Sequence, residues 1–179
     1  MSTPAPSKPQ TAPSPEIESA RWRIDPARSN VGFRTATLWG LAPVEGRFDR
    51  YAGSLDLGGE PAIELTIEAA SLDTDNKFRD KHLKAEEFFD AQNHPEVRFA
   101  SDTVTLDGEL LKVRGRLTAA GSTVPLELEA TVRPVGAELE VDARTSVDHR
   151  QLGMTHGTLN MIRPPSELIV HGRLVQDAG

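Results

Sequence analysis

Two short segments of this sequence combine charged and imidazole side chains that could carry acid and base chemistry. The first contains Arg79, Asp80 and His82, and the second contains Asp148 and His149. A carboxylate and an imidazole that meet in a cavity can move protons on a substrate, and groups used in this way usually have shifted pKa values. An enzyme is therefore one hypothesis, and it requires these five groups to converge on one cavity.

Metal chemistry is only weakly indicated. Asp73 and Asp75 resemble the start of a calcium loop, but Lys77 and Phe78 stand where such a loop has an oxygen ligand and a glycine. The histidines lack the tight spacing of zinc ligands, and we expect structural hydrogen bonds from those in the two segments above. We predict no metal site. The five histidines are His82, His94, His149, His156 and His171.

Familiar catalytic motifs are missing as well. The sequence has no Gly-x-Ser-x-Gly elbow, no glycine-rich phosphate loop followed by Lys and Ser or Thr, and no His-Glu-x-x-His pair. It also has no cysteine, which excludes disulfides and thiolate catalysis. The sequence therefore predicts no catalytic residue and no cofactor, and a protein that is not an enzyme.

Charge and composition limit the classes of partner that the protein is expected to bind. The formal net charge is −7, and no stretch clusters Lys and Arg as a phosphate-binding surface requires, so nucleic acid is excluded as a partner. No apolar run has the length of a membrane-spanning helix, so stable membrane insertion is not expected. The chain as given shows no signal peptide, which predicts a cytoplasmic location.

The chain divides into a tail and one domain. Residues 1–20 are rich in Pro, Ser and Ala, and such a segment buries too little apolar surface to offset the entropy of ordering it, so we predict disorder. Residues 21–177 have the length of one ordinary domain.

Most of that domain follows a two-residue period. Residues 124–132 alternate apolar with polar side chains, residues 139–143 do the same, and the Pro134 to Gly136 turn joins them as a hairpin. The pattern predicts an all-β, eight-stranded antiparallel barrel, since closure removes the sheet edges. Further strands are expected near residues 22–25, 30–37, 44–57, 62–71, 97–106, 110–118 and 167–176.

One short helix is predicted between strands, over residues 77–90, with Thr74 as its cap and an Asp80–Lys84 pair. Phe88 and Phe89 cannot share one face of a regular helix, so at least one is expected in the lumen and the other on the rim; the alternative is that both pack in the core. A partly apolar loop is expected over residues 151–165. A barrel of this size is either filled by side chains or holds one small ligand, and the mostly medium and small inward residues favour space inside.

The segment from Ser71 to Ser101 resembles the YceI family of lipocalin-like, polyisoprenoid-binding proteins. It contains, in order, Ser71-Leu72-Asp73-Thr74, Arg79-Asp80-Lys81-His82-Leu83, Phe88-Phe89-Asp90, His94-Pro95 and Phe99-Ala100-Ser101. Similar matches occur at residues 22–26, 46–48, 115–118 and 147–150, so the resemblance covers nearly all of residues 22–175. One departure is Thr37, where family members often have a histidine.

The resemblance implies an eight-stranded antiparallel lipocalin-like barrel, in the family often a homodimer. It also implies binding, storage or transport of a long apolar amphiphile: a polyisoprenoid, an isoprenoid quinone or a fatty-acid derivative. In the enzymatic alternative, polar residues near Arg79, His82 and His149 act on an isoprenoid or a lipid amide. The predicted ligand-binding residues are Phe33, Thr35, Leu38, Trp39, Phe48, Phe78, Arg79, His82, Leu83, Phe88, Phe89, Phe99, Leu152, Met154 and Met161.

Overall fold

Antiparallel strands make up most of the chain. The computed structural model describes residues 17, 19–37, 43–154 and 162–177. The strands are β1 (Arg21–Ile24), β2 (Asn30–Thr37), β3 (Val44–Phe48), β4 (Tyr51–Asp56), β5 (Ala62–Glu68), β6 (Leu72–Asp73), β7 (Glu96–Asp107), β8 (Leu110–Ala119), β9 (Ser122–Val135), β10 (Glu138–Val147) and β11 (Ile162–Gln176), and the helix is α1 (Lys77–Lys84).

The strands close into the predicted eight-stranded antiparallel barrel with one helix. β1 and β2 continue one another across a short turn, as do β3 and β4, and β5 and β6. Each half pairs with the matching half of its neighbour, so that these six segments act as three strands. β7 to β11 are continuous, and β11 closes the ring by pairing with β10 on one side and with β1 and β2 on the other.

The three broken strands bend side by side. The Asp49 backbone N–H donates to the Ser71 carbonyl at 3.1 Å, and that of Glu68 donates to the Arg50 carbonyl at 2.9 Å. The Ser71 hydroxyl accepts from the Arg50 N–H at 3.0 Å and donates to the Glu68 carbonyl at 2.7 Å. The uninterrupted strand expected over 44–57 is therefore wrong, because this network turns the chain at residues 49–50.

Helix α1 is shorter than predicted. The Asn76 side chain, and not Thr74, accepts from the backbone N–H groups of Phe78 and Arg79. The helix ends at Lys84, since Ala85 is extended with φ −70° and ψ 167°. Residues 85–93 continue as turns, so the expectation of a helix to residue 90 is wrong.

β11 begins at Ile162, five residues earlier than the sequence indicated. Its pairing with β2 shifts register between Arg163 and Ser166, where two prolines lack the N–H that a regular ladder uses. Before it, a turn at His149–Leu152 ends at Gly153 with φ +80°, and residues 155–161 lie outside the described part. Most of the predicted tail also lies outside it. Among the described helices, none is long and apolar enough to cross a membrane.

Candidate functional site

The barrel interior holds two apolar chambers in line. Chamber 1 has about 800 Å³ of unfilled space and chamber 2 about 880 Å³, the open ends included. Leu65, Leu168 and Val170 line both, so the chambers meet at these side chains. Along β11, chamber 1 begins at Ser166 and chamber 2 extends to Leu174, which gives a lumen about 20 Å long for strands tilted by about 40°.

Four phenylalanines form one wall of chamber 1. The ring centroid of Phe89 lies 6.4 Å from that of Phe33, 5.8 Å from that of Phe48 and 6.0 Å from that of Phe88. Both Phe88 and Phe89 line the chamber. The expected division into one lumen and one rim position is wrong, because the helix ends at Lys84 and a turn carries both rings inward.

Chamber 1 also holds the buried polar side chains of the lumen. Thr35, His149 and Ser166 line it, and all three are buried. His149 Nδ1 lies 3.1 Å from the Ser166 hydroxyl, and the His149 ring packs near Phe88 with centroids 5.8 Å apart. Burial lowers the pKa of His149 below its ordinary value, partly offset by the neighbouring Asp148 carboxylate. The imidazole is therefore neutral at pH 7, when it can donate one hydrogen bond and accept another.

Chamber 2 is largely apolar, and Ser54 and Thr145 are its uncharged polar residues. Ile24, Leu55, Leu111 and Leu174 are buried residues of its wall. Two charged residues border it from outward-facing strand positions, Glu64 and Arg144; the Arg144 guanidinium pairs with Glu167 at 3.8 Å. The polar end of the lumen is therefore chamber 1.

Two glycines keep aromatic rings against the barrel wall. A β-carbon built at Gly46 would lie 2.5 Å from the ring of Phe33, and one at Gly115 would lie 2.7 Å from the ring of Phe99. Each ring therefore occupies the place of a missing side chain, which leaves the centre of the lumen open.

The structure brings together eight of the predicted ligand-binding residues. Seven line chamber 1 and one lines chamber 2. Leu38, Trp39 and Met161 lie outside the described residues, so their placement stays a prediction. Those in chamber 1 are Phe33, Thr35, Phe48, Phe88, Phe89, Leu152 and Met154, and Phe99 lies in chamber 2.

Four predicted residues lie on or beneath α1, away from the walls of both chambers as far as the chain is described. Phe78 is 73% exposed, and its carbonyl lies 2.8 Å from His82 Nδ1. Arg79 donates to the Thr74 hydroxyl at 2.9 Å and to its carbonyl at 2.8 Å. Leu83 is buried under the helix. Ligand contact by these four residues stays a prediction.

The groups of the enzymatic hypothesis do not converge. Asp80 accepts from the backbone N–H and hydroxyl of Thr74 at 2.9 and 2.6 Å, in place of the expected Lys84 pair. Asp148 pairs with the Arg150 guanidinium at 2.7 Å, which lowers the pKa of this carboxyl to about 2. Of the five groups, only His149 lines a chamber.

The segment that resembles the start of a calcium loop, Asp73 to Asp75, has a structural role. The Arg47 guanidinium contacts Asp73 at 2.6 Å and Asp75 at 3.1 Å, which fastens β6 to β3. Across the described residues, no three His, Cys, Asp or Glu side chains are grouped as metal ligands would be.

Sequence reasoning missed much of the chamber wall. Alternation was the available signal, since every inward position of a closed barrel faces the lumen. Alternation could not identify Ser166, because the bulge at Pro164 and Pro165 interrupts the two-residue period of the strand just before it. His149 was named only as an acid–base candidate and not as a ligand contact. The missed residues of chamber 1 include Val31, Ile67, Val97, Leu117, Ala119, Val147 and Ser166.

The buried imidazole makes stability depend on pH. Because the folded pKa of His149 is lowered, the unfolded chain binds the proton more tightly, so the stabilisation is complete above about pH 6.5 and declines as the pH falls below it. We expect the free energy of unfolding in urea to drop between pH 7 and about pH 5. The drop is expected to be smaller in His149→Gln, and equal drops in both proteins would contradict this assignment.

The fold and lumen define a class: a closed antiparallel barrel with an apolar interior and polar groups at one end. A model of the YceI-like domain matches residues 22–174, and the chain belongs to the YceI family.

Relatives and solved structures agree with this. A UPF0312 protein of Photorhabdus laumondii is 34% identical over 126 residues, which are 67% of this chain and 65% of that protein. YceI of Escherichia coli O157:H7 is 34% identical over 118 residues, 63% of this chain and 61% of the relative. The chain thus spans less than two thirds of the length of these relatives.

Two solved structures share the fold. BcnA of Burkholderia cenocepacia superposes with a TM-score of 0.76 at 21% identity, over 84% of this chain and 98% of that chain. A polyisoprenoid-binding domain from Saccharophagus degradans, implicated in plant cell wall breakdown, superposes with a TM-score of 0.74 at 16% identity, over 87% of this chain and 98% of that chain.

Proposed function

We propose that this barrel binds one long apolar amphiphile in its lumen, for storage or transport. The observation that carries the proposal is the pair of largely apolar chambers in line, with the buried polar side chains of the lumen at one end. Burying methylene groups stabilises by about 0.8 kcal/mol each, so a tail that fills both chambers gains well over 10 kcal/mol before the cost of ordering it. The polyisoprenoid-binding domain of the same fold supports a polyisoprenoid, isoprenoid quinone or fatty-acid derivative as the guest.

The polar end favours an uncharged head group. Thr35, His149 and Ser166 are two hydroxyl side chains and a neutral imidazole, so none of the three carries a charge at pH 7. The nearby cation Arg150 is exposed and engaged by Asp148. A buried carboxylate or phosphate without a partner is strongly disfavoured. We therefore infer an alcohol, a quinone or an amide as the head of the guest.

An organic extract of freshly purified protein, analysed by mass spectrometry, tests the proposal. We expect one uncharged lipid per barrel. An empty extract from a protein that also fails to bind a hydrophobic dye would refute it, and turnover of an added lipid would favour the enzymatic hypothesis instead.

The head-group inference has a separate test. Geranylgeraniol and geranylgeranoic acid share one tail, and each can be titrated against a bound fluorescent dye at pH 7.5. We expect the alcohol to bind about tenfold more tightly, and we expect His149→Phe to reduce that difference. Equal or tighter binding of the acid would overturn the uncharged head group while leaving the lumen proposal intact.

A further inference from the structure

The outer face of helix α1 carries cations without carboxylate partners. Three of the five lysines of the chain lie in this eight-residue helix: Lys77, Lys81 and Lys84. Within the described residues, none of the three forms an ion pair. In contrast, arginines along the barrel wall pair with carboxylates, as Arg114 does with Glu127 at 3.0 Å.

An aromatic ring projects beside these lysines. Phe78 is 73% exposed, the most exposed large apolar side chain of the described residues, and its ring centroid lies 4.4 Å from that of His82. The 100° spacing of helical residues places Lys84, Lys77, Lys81, Phe78 and His82 in one continuous arc. We call this arc the cationic face.

The remaining residues of α1 face the barrel. Leu83 is only 2% exposed, while Arg79 and Asp80 are bonded to Thr74. The carboxylate of Asp80, the single acidic residue of the helix, is thus bonded to Thr74 at the edge of the cationic face. Glu86 and Glu87 are exposed just beyond the helix, so they limit the attraction that the lysines provide.

We propose that the cationic face of α1 docks on the surface of an anionic lipid bilayer. Lysine stems extend along apolar surface while their ammonium groups contact lipid phosphates, and a projecting ring enters the interface between head groups and acyl chains. The net charge of −7 opposes such contact elsewhere on the molecule, so the docking has one orientation. A helix of eight residues is too small for a typical protein interface of about 800 Å² per partner, which favours a bilayer over a protein.

Docking would bring chamber 1 close to the membrane. The Phe89 backbone N–H donates to the Leu83 carbonyl at 3.0 Å, so the chain passes from the docked helix directly into the wall of that chamber. This inference concerns a surface and does not require an occupied lumen.

Flotation of the full-length protein with vesicles tests the docking. One set contains phosphatidylcholine alone and the other contains phosphatidylcholine with phosphatidylglycerol. We expect binding to the anionic vesicles only, weakened by added salt. Each of Lys77→Gln and Lys81→Gln is expected to weaken it about fivefold, and Phe78→Ser about tenfold.

Two matched control variants distinguish docking by the cationic face from nonspecific effects of positive charge and of exposed apolar side chains. Lys112→Gln removes a lysine from the outer wall of β8, and Val135→Ser removes another exposed apolar side chain; neither is expected to change binding. Equal binding to both vesicle types, or no effect of the α1 substitutions, would overturn the proposal. So would loss of a dimer in Phe78→Ser on sedimentation without any change in flotation, because the face would then contact a second copy of the chain.

Discussion

The Leu65→Trp variant is expected to bind a long amphiphile at least about a hundredfold more weakly than the parent protein. Leu65 lines both chambers, so an indole there blocks the passage between them. A tail kept out of chamber 2 loses the burial of four or more methylenes, about 3 kcal/mol. Titration with geranylgeraniol measures the change.

The neighbouring residue offers a control for this substitution. Thr66 follows Leu65 on β5 and points to the outside of the barrel. The Thr66→Trp variant adds the same ring without entering the lumen, and we expect unchanged binding. Retained affinity in a folded Leu65→Trp protein would show that the tail does not pass this point.

The second large effect is expected from a single added methyl group, in Gly115→Ala. The new β-carbon would collide with the carbonyl oxygen of Ala100 and lie 2.7 Å from the ring of Phe99. Alanine normally stabilises a strand relative to glycine, so a loss has to come from this collision. We expect the free energy of unfolding in urea to fall by about 3 kcal/mol or more.

Gly172→Ala provides the comparison. Its β-carbon would meet the methyl group of Leu174 at 3.1 Å, a flexible side-chain end that can shift. We expect a change within about 1 kcal/mol. Similar losses in both variants would mean that the β8 backbone has no special need for glycine.

The barrel itself was predictable from the sequence because alternation marks strands and closure removes edges. The break between β1 and β2 was also predicted, as separate strands at 22–25 and 30–37. The breaks between β3 and β4 and between β5 and β6 were not, since the Ser71 hydroxyl that turns the chain bonds to Arg50, which is distant in sequence. Period-two patterns report which face is buried, and they do not report such contacts between strands.

The candidate site was predicted in part. The large aromatic residues were identified because bulk at inward positions must lie in the lumen, as for Phe33 and Phe48. The helix residues Phe78 and His82 were assigned to the ligand from the family resemblance, and the structure places them on the outside of α1. The His149–Ser166 pair depends on the bulge in β11, whose two prolines, Pro164 and Pro165, were interpreted as part of a loop and not as a bulge within a strand.

The bends in the three broken strands fall near the boundary between the chambers. Below them, β1 and β4 contribute Ile24 and Leu55 to chamber 2; above them, β2 and β3 contribute Val31 and Phe48 to chamber 1. Insertions or register changes above the bends can therefore remodel one compartment while the packing of the other is preserved. Selectivity for a guest's head and capacity for its tail are separable, and evolution can vary one without the other.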